Sequence, residues 1–305
     1  MRRIYCWVMA LILGLALIPI PGAAAASDSW TLSSADGRIQ ITLFLSNSSL
    51  CYTASMDGIP VLGQSRLGLY TAMADFTYGV SVTSAERNSF RETYPMLTGK
   101  ASSYTNDYTE LVLTVEKEGH QMRVYARAYG DGFAIRYGLS ENTKVLTEAT
   151  QFNLGSAQAV HAQEYEKCYE AFYEKRKMQD MFGLYAMPAL AWLENGSYAL
   201  ITEAALNGSY CGSVLRSTGD GVLRTEFEPK QTEMVEIEAQ FTSPWRAVVL
   251  GDANTIASTQ MPENLNPPCA ISDTSWIKPG VSAWTWFNGD PVSYTHLTLP
   301  TTSRV

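Results

Sequence analysis

Short runs in which apolar and polar side chains alternate dominate the chain from Trp30 to about Asp252. Residues 110–140, ELVLTVEKEGHQMRVYARAYGDGFAIRYGLS, contain three such runs, separated by the turn sequences KEGH and YGDG. Alternation with a period of two, bounded by glycine-containing turns, is typical of antiparallel strands that bury one face. We therefore predict a three-stranded meander here.

The same pattern recurs on both sides of this meander. On its N-terminal side, GRIQITLFLS alternates, and LCYTASMDGIPVLG is typical of two strands joined at an Asp-Gly turn. On its C-terminal side follow GSYALITEAAL, GVLRTEFEP, MVEIEAQF and WRAVVLGD. So many short strands with few helical patterns predict an all-β fold, a large antiparallel β-sandwich. The absence of a fixed-period repeat disfavours a propeller.

One segment, 162–182 (AQEYEKCYEAFYEKRKMQDMF), departs from this pattern. Its tyrosines and glutamates recur every four residues, as Tyr165, Tyr169 and Tyr173 and as Glu166, Glu170 and Glu174. An amphipathic helix would align the tyrosines, but it would also stack the glutamates, which repel by about 0.2–0.5 kcal/mol per pair. The segment is therefore either a solvated helix or a less regular stretch in which one carboxylate faces a positive group.

The N-terminus has the three parts of a secretory signal peptide. MRR is basic, IYCWVMALILGLALI is apolar, and PIPGAAAAS supplies helix breakers and small residues for cleavage. We predict a signal peptide at 1–26 and a periplasmic or secreted protein. The apolar run is short for a membrane span, and no other segment is apolar enough to form one.

Export would leave four cysteines, Cys51, Cys168, Cys211 and Cys269, in an oxidising compartment. They allow two disulfides in three possible pairings, or four buried thiols, and their spacing does not decide between these. No pair has the spacing of a zinc site.

Charge and motifs exclude several functions. The net charge of −8 disfavours nucleic acid or an anionic membrane as a partner, because both are bound through clustered Lys and Arg. There is no G-x-S-x-G motif and no glycine-rich phosphate loop, and the three histidines support no catalytic triad. Paired carboxylates would suit glycoside hydrolysis, but 30 Asp and Glu residues identify no pair. Four tryptophans are candidates for stacking on sugars or for packing: Trp245, Trp276, Trp284 and Trp286.

Several longer motifs follow one another along residues 28–290. They are SWTLSSADGRIQITLFL, MDGIPVLGQSRLGL, RVYARAYGDGFAIRY, YEAFYEKRKM, GSYALITEAALNGSY, SPWRAVVLGD and NLNPPCAISDTSWIKPGVSAWTWF. In this order they resemble glycoside hydrolase family 97, a group of secreted α-glucosidases and α-galactosidases.

The resemblance implies a β-super-sandwich at 27–270, followed at 271–291 by the linker and first strand of a truncated catalytic (β/α)8 barrel. Barrel enzymes carry their catalytic groups on loops at the C-terminal ends of the strands. The acid, and the base or nucleophile, would therefore lie downstream, and no catalytic residue is assigned to this chain. By itself the chain is expected to be inactive.

The function implied for the intact protein is hydrolysis of starch-derived α-glucosides by a secreted, calcium-dependent α-glucosidase, with an oligosaccharide as substrate. Two alternatives remain open. One is a retaining α-galactosidase of the same family, and the other is a non-catalytic, carbohydrate-binding β-sandwich module.

The resemblance also implies one contribution of the sandwich to the active site. In this family a glutamate within a Y-E-x-x-Y stretch joins barrel carboxylates around a calcium ion, a hard cation that prefers oxygen ligands. The pattern occurs twice, as YEKCY at 165–169 and as YEAFY at 169–173. Its spacing to KRKM and EAAL favours Glu170 as the Ca²⁺ ligand, with Glu166 as the second choice.

The last residues do not continue the family pattern. VSYTHLTLPT, which begins at Val292, back-translates into a sequence that matches a transposon-type sequencing adapter. We therefore predict that Val292–Val305 is an artefact of a truncated assembly.

Overall fold

The computed structural model describes residues 29–155, 157–229, 234–278 and 280–281. Several predicted features lie outside these ranges: the signal peptide, all but the first two residues of the barrel strand at 280–287, Trp284, Trp286 and the segment Val292–Val305. In the described ranges the chain is mostly β-structure, with two short α-helices and one 3-10 helix.

The strands, in chain order, are β1 (Ser29–Ser33), β2 (Ile39–Ser46), β3 (Ser49–Met56), β4 (Ile59–Arg66), β5 (Leu69–Thr71), β6 (Ser81–Pro95), β7 (Ser103–Lys117), β8 (His120–Tyr129), β9 (Gly132–Leu139), β10 (Thr143–Glu148) and β11 (Gln151–Asn153). They continue with β12 (Ala157–Gln163), β13 (Tyr173–Arg176), β14 (Phe182–Tyr185), β15 (Ala189–Leu193), β16 (Tyr198–Ala204), β17 (Ser213–Thr218), β18 (Val222–Phe227), β19 (Val235–Ile237), β20 (Phe241–Thr242) and β21 (Trp245–Gly251). The 3-10 helix is Met178–Asp180, and the α-helices are α1 (Ala253–Ser258) and α2 (Met261–Asn264).

Within the described residues the strands form three antiparallel sheets. The first has eight strands in the order β1-β2-β3-β4-β11-β18-β17-β14. The second has ten, in the order β13-β12-β15-β16-β21-β9-β8-β7-β6, with β20 paired to β9. The third has the order β19-β10-β5.

The two large sheets enclose one hydrophobic core. Leu43 and Tyr52 of the eight-stranded sheet are fully buried, as are Leu113 and Phe133 of the ten-stranded sheet. The rings of Tyr52 and Phe133 meet edge to face with centroids 5.7 Å apart. Two sheets that pack their apolar faces together are what the alternating pattern predicts, so the all-β sandwich is confirmed.

The predicted meander and hairpin are confirmed as well. β7, β8 and β9 are consecutive neighbours in the ten-stranded sheet. Between β3 and β4, Asp57 and Gly58 both have positive φ angles, of 51° and 78°. Two positive φ angles in a two-residue loop are the signature of a type I′ turn, for which Asp-Gly is a preferred sequence.

One expected strand differs from the structure. MVEIEAQF is expected to form one strand but contributes to two, β19 and β20, because Gln240 has a left-handed φ of 66° that interrupts the extended backbone. Residues 271–278 and 280–281, the described part of the predicted linker and first barrel strand, form no strand, and the barrel strand itself stays a prediction.

A second apolar cluster lies on the outer face of the ten-stranded sheet. There Met261 and Leu265, from the segment after β21, cluster with Trp245. Trp245 is fully buried, and the guanidinium groups of Arg127 and Arg136 lie 4.7 and 4.2 Å from its ring. Of the two roles considered for Trp245, packing is therefore the observed one. The ring of Trp276 is exposed.

The four cysteines of the described ranges are free thiols, and they differ in exposure. Cys51 is buried and Cys211 half-buried, whereas Cys168 and Cys269 are exposed. The structure therefore contains neither of the two arrangements considered, two disulfides or four buried thiols. Neither α-helix found in the described part of the chain has the length or hydrophobicity of a membrane-crossing segment.

Candidate functional site

The segment 162–182 contains no α-helix. It begins in β12 and ends in β14, and residues 164–172 form a connection that we call the 164–172 loop. The Tyr165 N–H donates to the Leu184 carbonyl at 2.9 Å, so the start of the loop is tied to β14. A surface helix needs a buried apolar face, but Tyr169 is exposed on this loop. The helix interpretation is therefore wrong.

The two glutamates predicted to bind Ca²⁺ both lie on this loop and are exposed. Glu166 contacts Cys168 Sγ at 3.8 Å. Glu170 makes neither a hydrogen bond nor an ion pair with any residue that the structure describes. Both carboxylates are therefore open to a partner from outside the described ranges.

The guanidinium group of Arg176, beside the loop, forms ion pairs with two other carboxylates. Arg176 on β13 contacts Glu164 at 2.7 Å and Glu174 at 2.6 Å. The less regular alternative for this segment, in which a carboxylate faces a positive group, thus holds for Glu164 and Glu174. Glu164 and Glu174 are well exposed, so these ion pairs contribute little to stability.

Two tyrosines shape the loop. The Tyr165 hydroxyl donates to Glu228 Oε1 at 2.5 Å, and this bond raises the pKa of Tyr165 to about 12. The rings of Tyr165 and Tyr169 meet edge to face, 5.8 Å apart. Tyr169 has a left-handed φ of 56°, and its N–H donates to the Glu166 carbonyl at 3.0 Å. A left-handed L-residue costs about 1–2 kcal/mol, and such strain is concentrated at functional sites.

An ionic cluster is buried between the sheets. Arg246 on β21 donates from Nε and Nη2 to the two oxygens of Glu148, at 2.8 and 2.7 Å, and from Nη1 to Glu203 at 2.5 Å. The side chains of Arg246 and Glu148 are 1% and 0% exposed, and that of Glu203 is 13% exposed. The hydroxyls of Thr150 and Tyr210 also donate to Glu148, at 2.6 and 3.3 Å.

The charges of this cluster compensate one another. Burial alone lowers the pKa of Arg246, but the carboxylates of Glu148 and Glu203 raise it overall. Burial raises the pKa of Glu203, and Arg246 opposes that shift. Burial and then the charges of Glu228 and Glu203 raise the pKa of Tyr169, so the cluster lies close enough to the 164–172 loop to influence it.

Sequence reasoning missed this cluster, although a signal was present. In WRAVVLG, the sequence of β21, a single arginine interrupts an otherwise apolar run, and every residue is buried. A charge in such a strand needs a buried partner. Glu203 is the residue opposite Arg246 in the register of β16 and β21. Glu148 belongs to β10, in another sheet, and no local pattern connects it to Arg246.

The 164–172 loop offers oxygen ligands of the type that calcium prefers, but too few of them to complete a site. Ca²⁺ takes about 6–8 oxygen ligands, and the carboxylates of Glu170 and Glu166 are donors of that type. In the described ranges, no three His, Cys, Asp or Glu side chains converge on a metal site. The donor chemistry fits calcium if further ligands come from outside these ranges.

A family model described as "Glycosyl-hydrolase 97 N-terminal" matches residues 32–268. A protein of Streptomyces bingchenggensis named "Probable retaining alpha-galactosidase" is 29% identical over 295 aligned positions, which cover 94% of this chain and 46% of that protein. A "Retaining alpha-galactosidase" of Bacteroides thetaiotaomicron is 25% identical, covering 86% of this chain and 45% of its own length. The chain thus spans about half the length of the curated relatives it matches.

One solved structure is similar over most of the sandwich. It is a glycoside hydrolase family 97 enzyme from Pseudoalteromonas sp. strain K8 in complex with acarbose, with a TM-score of 0.76 and 25% identity. The similarity covers 82% of this chain and 40% of that chain. A variant of an enzyme from the same strain was solved in complex with panose.

Proposed function

The chain belongs to glycoside hydrolase family 97, and we propose that it is the N-terminal sandwich of a secreted, calcium-dependent, retaining α-galactosidase. The observation that carries the proposal is the 29% identity to the Streptomyces protein, which extends along 94% of this chain. In a retaining enzyme the acid and the nucleophile are about 5–5.5 Å apart. We place both on a catalytic domain outside this chain.

An α-glucosidase, the activity that the sequence resemblance favours, is the second candidate. The similarity to the Pseudoalteromonas enzyme supports it, because a variant from that strain binds panose, an oligosaccharide of glucose. In either case the partner of the intact protein is an oligosaccharide.

We assign the sandwich a role in metal binding through the 164–172 loop. Glu170 would contribute a carboxylate oxygen to the calcium ion, with Glu166 as the alternative. Three observations support the loop: both carboxylates are exposed, Glu170 is unpaired within the described residues, and Tyr169 is strained. When bound, the ion would supply positive charge that stabilises clustered carboxylates.

Export is part of the same proposal. It is supported by the basic, apolar and small-residue stretches within residues 1–26. They predict a periplasmic or secreted protein.

The test of substrate is hydrolysis by the longer protein in which this chain is followed by the catalytic domain encoded by its own gene. We expect kcat/KM for nitrophenyl α-galactoside to exceed that for nitrophenyl α-glucoside by more than about tenfold. The reason is that polar groups placed for one hydroxyl epimer stay unpaired with the other. The 305-residue chain alone is the control, with no hydrolysis expected. The opposite preference would favour the second candidate, and a longer protein that hydrolyses neither substrate would contradict both.

A further inference from the structure

The 164–172 loop runs between the two large sheets. It follows β12 of the ten-stranded sheet, lies against β14 of the eight-stranded sheet and returns to the ten-stranded sheet at β13. Against β14, Glu164 forms an isolated bridge, and the Tyr165 N–H donates to the Leu184 carbonyl at 2.9 Å. Both of these backbone contacts are made by the first two residues of the loop. The residues after them, which include both candidate calcium ligands, are held by other contacts.

One side-chain hydrogen bond also ties the loop to the eight-stranded sheet. The Tyr165 hydroxyl donates to Glu228 Oε1 at 2.5 Å. Glu228 directly follows β18, and its N–H donates at 3.0 Å to the carbonyl of Gly212, the residue before β17. Since β17 and β18 are paired neighbours in that sheet, the carboxylate that receives the tyrosine hydroxyl is attached to a rigid part of the sandwich.

The carboxylate of Glu228 has no counter-charge among the described residues. Its one side-chain hydrogen bond there is the bond from Tyr165, and it takes part in no ion pair. Glu226, two residues earlier, differs in this respect because it pairs with Arg216. The visible contribution of the Glu228 carboxylate is therefore to hold the Tyr165 hydroxyl, through a hydrogen bond of the stronger, charge-assisted kind.

The effect of this bond reaches Glu170 through Tyr169. The ring of Tyr165, whose hydroxyl end is held by Glu228, meets the ring of Tyr169 edge to face at 5.8 Å. Tyr169 directly precedes Glu170 and has a left-handed φ of 56°. A residue in such a conformation keeps it only where its surroundings impose it. The ring contact with Tyr165 is one such constraint, and it sets the backbone from which the Glu170 side chain leaves.

We infer that Glu228 is a positioning residue, which fixes the 164–172 loop through Tyr165 and so keeps Glu170 in place for a calcium ion. Because Glu170 is a calcium ligand only under the proposed function, Glu228 serves metal binding on the same condition. Side chains that orient a ligand of a metal affect binding almost as strongly as the ligand itself. A bond that only stabilised the sandwich would have no such effect, and two measurements separate these roles.

The first measurement is the rate at which trypsin cuts after Lys167, an exposed residue of the loop, in the folded 305-residue chain without calcium. Proteolysis of this kind follows local opening. We expect Tyr165→Phe and Glu228→Ala each to speed the cut by about fivefold or more, because each removes a hydrogen bond to a charged group. Glu228→Gln keeps an acceptor oxygen and should speed it by less than about threefold. The double variant should be no faster than the faster single one, since both remove the same bond.

Two variants at the opposite edge of the ten-stranded sheet are the matched controls. Tyr94→Phe removes a hydroxyl that donates to Asn264 at 2.7 Å, and Asp107→Ala removes a carboxylate that contacts Arg91 at 3.1 Å. Both should be cut after Lys167 at the wild-type rate, and circular dichroism should show that all variants are folded. Unchanged cutting in Tyr165→Phe and Glu228→Ala would overturn the inference, as would equal acceleration in the two controls.

The second measurement is the calcium dependence of hydrolysis by the longer protein. Glu228→Ala should raise the calcium concentration for half-maximal activity by about threefold to tenfold. Its kcat at saturating calcium should stay within about twofold of the wild type, because excess calcium fills a weakened site by mass action. Faster cutting with an unchanged calcium requirement would overturn the positioning role, provided that Glu170→Gln changes that requirement. If Glu170→Gln leaves it unchanged, the proposed function is contradicted, and the cutting rates still decide whether Glu228 holds the loop.

Discussion

Arg246→Met should lower the free energy of unfolding of the chain by about 3–5 kcal/mol, the typical cost of removing one partner of a buried ion pair. The guanidinium group of Arg246 makes three hydrogen bonds to Glu148 and Glu203 between the sheets. Methionine is similar in size and apolar, so the variant keeps most of the packing. It leaves two neighbouring carboxylates buried without a counter-charge, and this is what destabilises the fold. Urea denaturation measures the difference.

Arg216→Met is the control for this variant. Arg216 also pairs with a glutamate, Glu226 on the adjacent strand, but their side chains are 40% and 37% exposed. An exposed pair typically contributes about 0.2–1 kcal/mol. Equal destabilisation by the two methionine variants would contradict the role assigned to the buried cluster.

The effect of Arg246→Met should also depend on pH. Burial raises the pKa of Glu203 above its ordinary value of 4.5. A carboxyl with a raised folded-state pKa contributes stability that is present below its unfolded-state pKa and lost as the pH rises through the folded-state pKa. Loss of Arg246 removes the charge that limits this shift. The deficit of the variant should therefore shrink as the pH falls from about 7 toward 4.5, and added Glu203→Gln should recover part of it at pH of about 7.

Gly68→Ala should destabilise the fold by about 3 kcal/mol, because a strained φ and overpacking each cost about 1–3 kcal/mol. Gly68 has a φ of 140°, and a Cβ there would lie 2.6 Å from the Phe76 carbonyl oxygen and 2.9 Å from Thr77 Cα. Both are backbone atoms, which cannot rotate away. The Gly68 N–H also donates to the Tyr137 hydroxyl at 3.1 Å, so a backbone shift would break a buried bond.

Gly58→Ala separates the cost of the positive φ from the cost of the close contacts. Gly58 has a φ of 78°, but a Cβ there would meet no atom within 4 Å. We expect a loss of only about 1–2 kcal/mol, the cost of the left-handed conformation alone. Denaturation curves of the two alanine variants test this, and a loss at Gly58 as large as that at Gly68 would show that the close contacts at Gly68 are unimportant.

The strands and hairpins were predictable because their information is local. Alternation defines each buried face, and Asp57-Gly58 specifies the turn that joins β3 and β4. The segment 162–182 was harder, since the four-residue spacing of its tyrosines and glutamates is that of a helix. Pairing with neighbouring strands overrides it, as the bond from Tyr165 to Leu184 shows. In such a segment tertiary contacts outweigh the intrinsic helix propensity.

The candidate site was predictable only in part. Glu170 and Glu166 follow from a family pattern, but their exposure and the unusual φ of Tyr169 depend on how the loop is held. The pairing of Arg246 with Glu148 joins residues 98 positions apart in the sequence. A contact of that range carries no local signal, so sequence reasoning could have found the buried arginine but not this partner.

We propose that this sandwich supplies a calcium ligand to a family 97 glycosidase. The most direct measurement is the calcium dependence of hydrolysis by the longer protein, for wild type, Glu170→Gln and Glu166→Gln. Loss of a ligand or of its support typically weakens metal binding by about 10–100-fold. We expect Glu170→Gln to raise the calcium concentration for half-maximal activity by at least about tenfold, and Glu166→Gln to change it by less than about twofold. An unchanged calcium dependence in Glu170→Gln would contradict it.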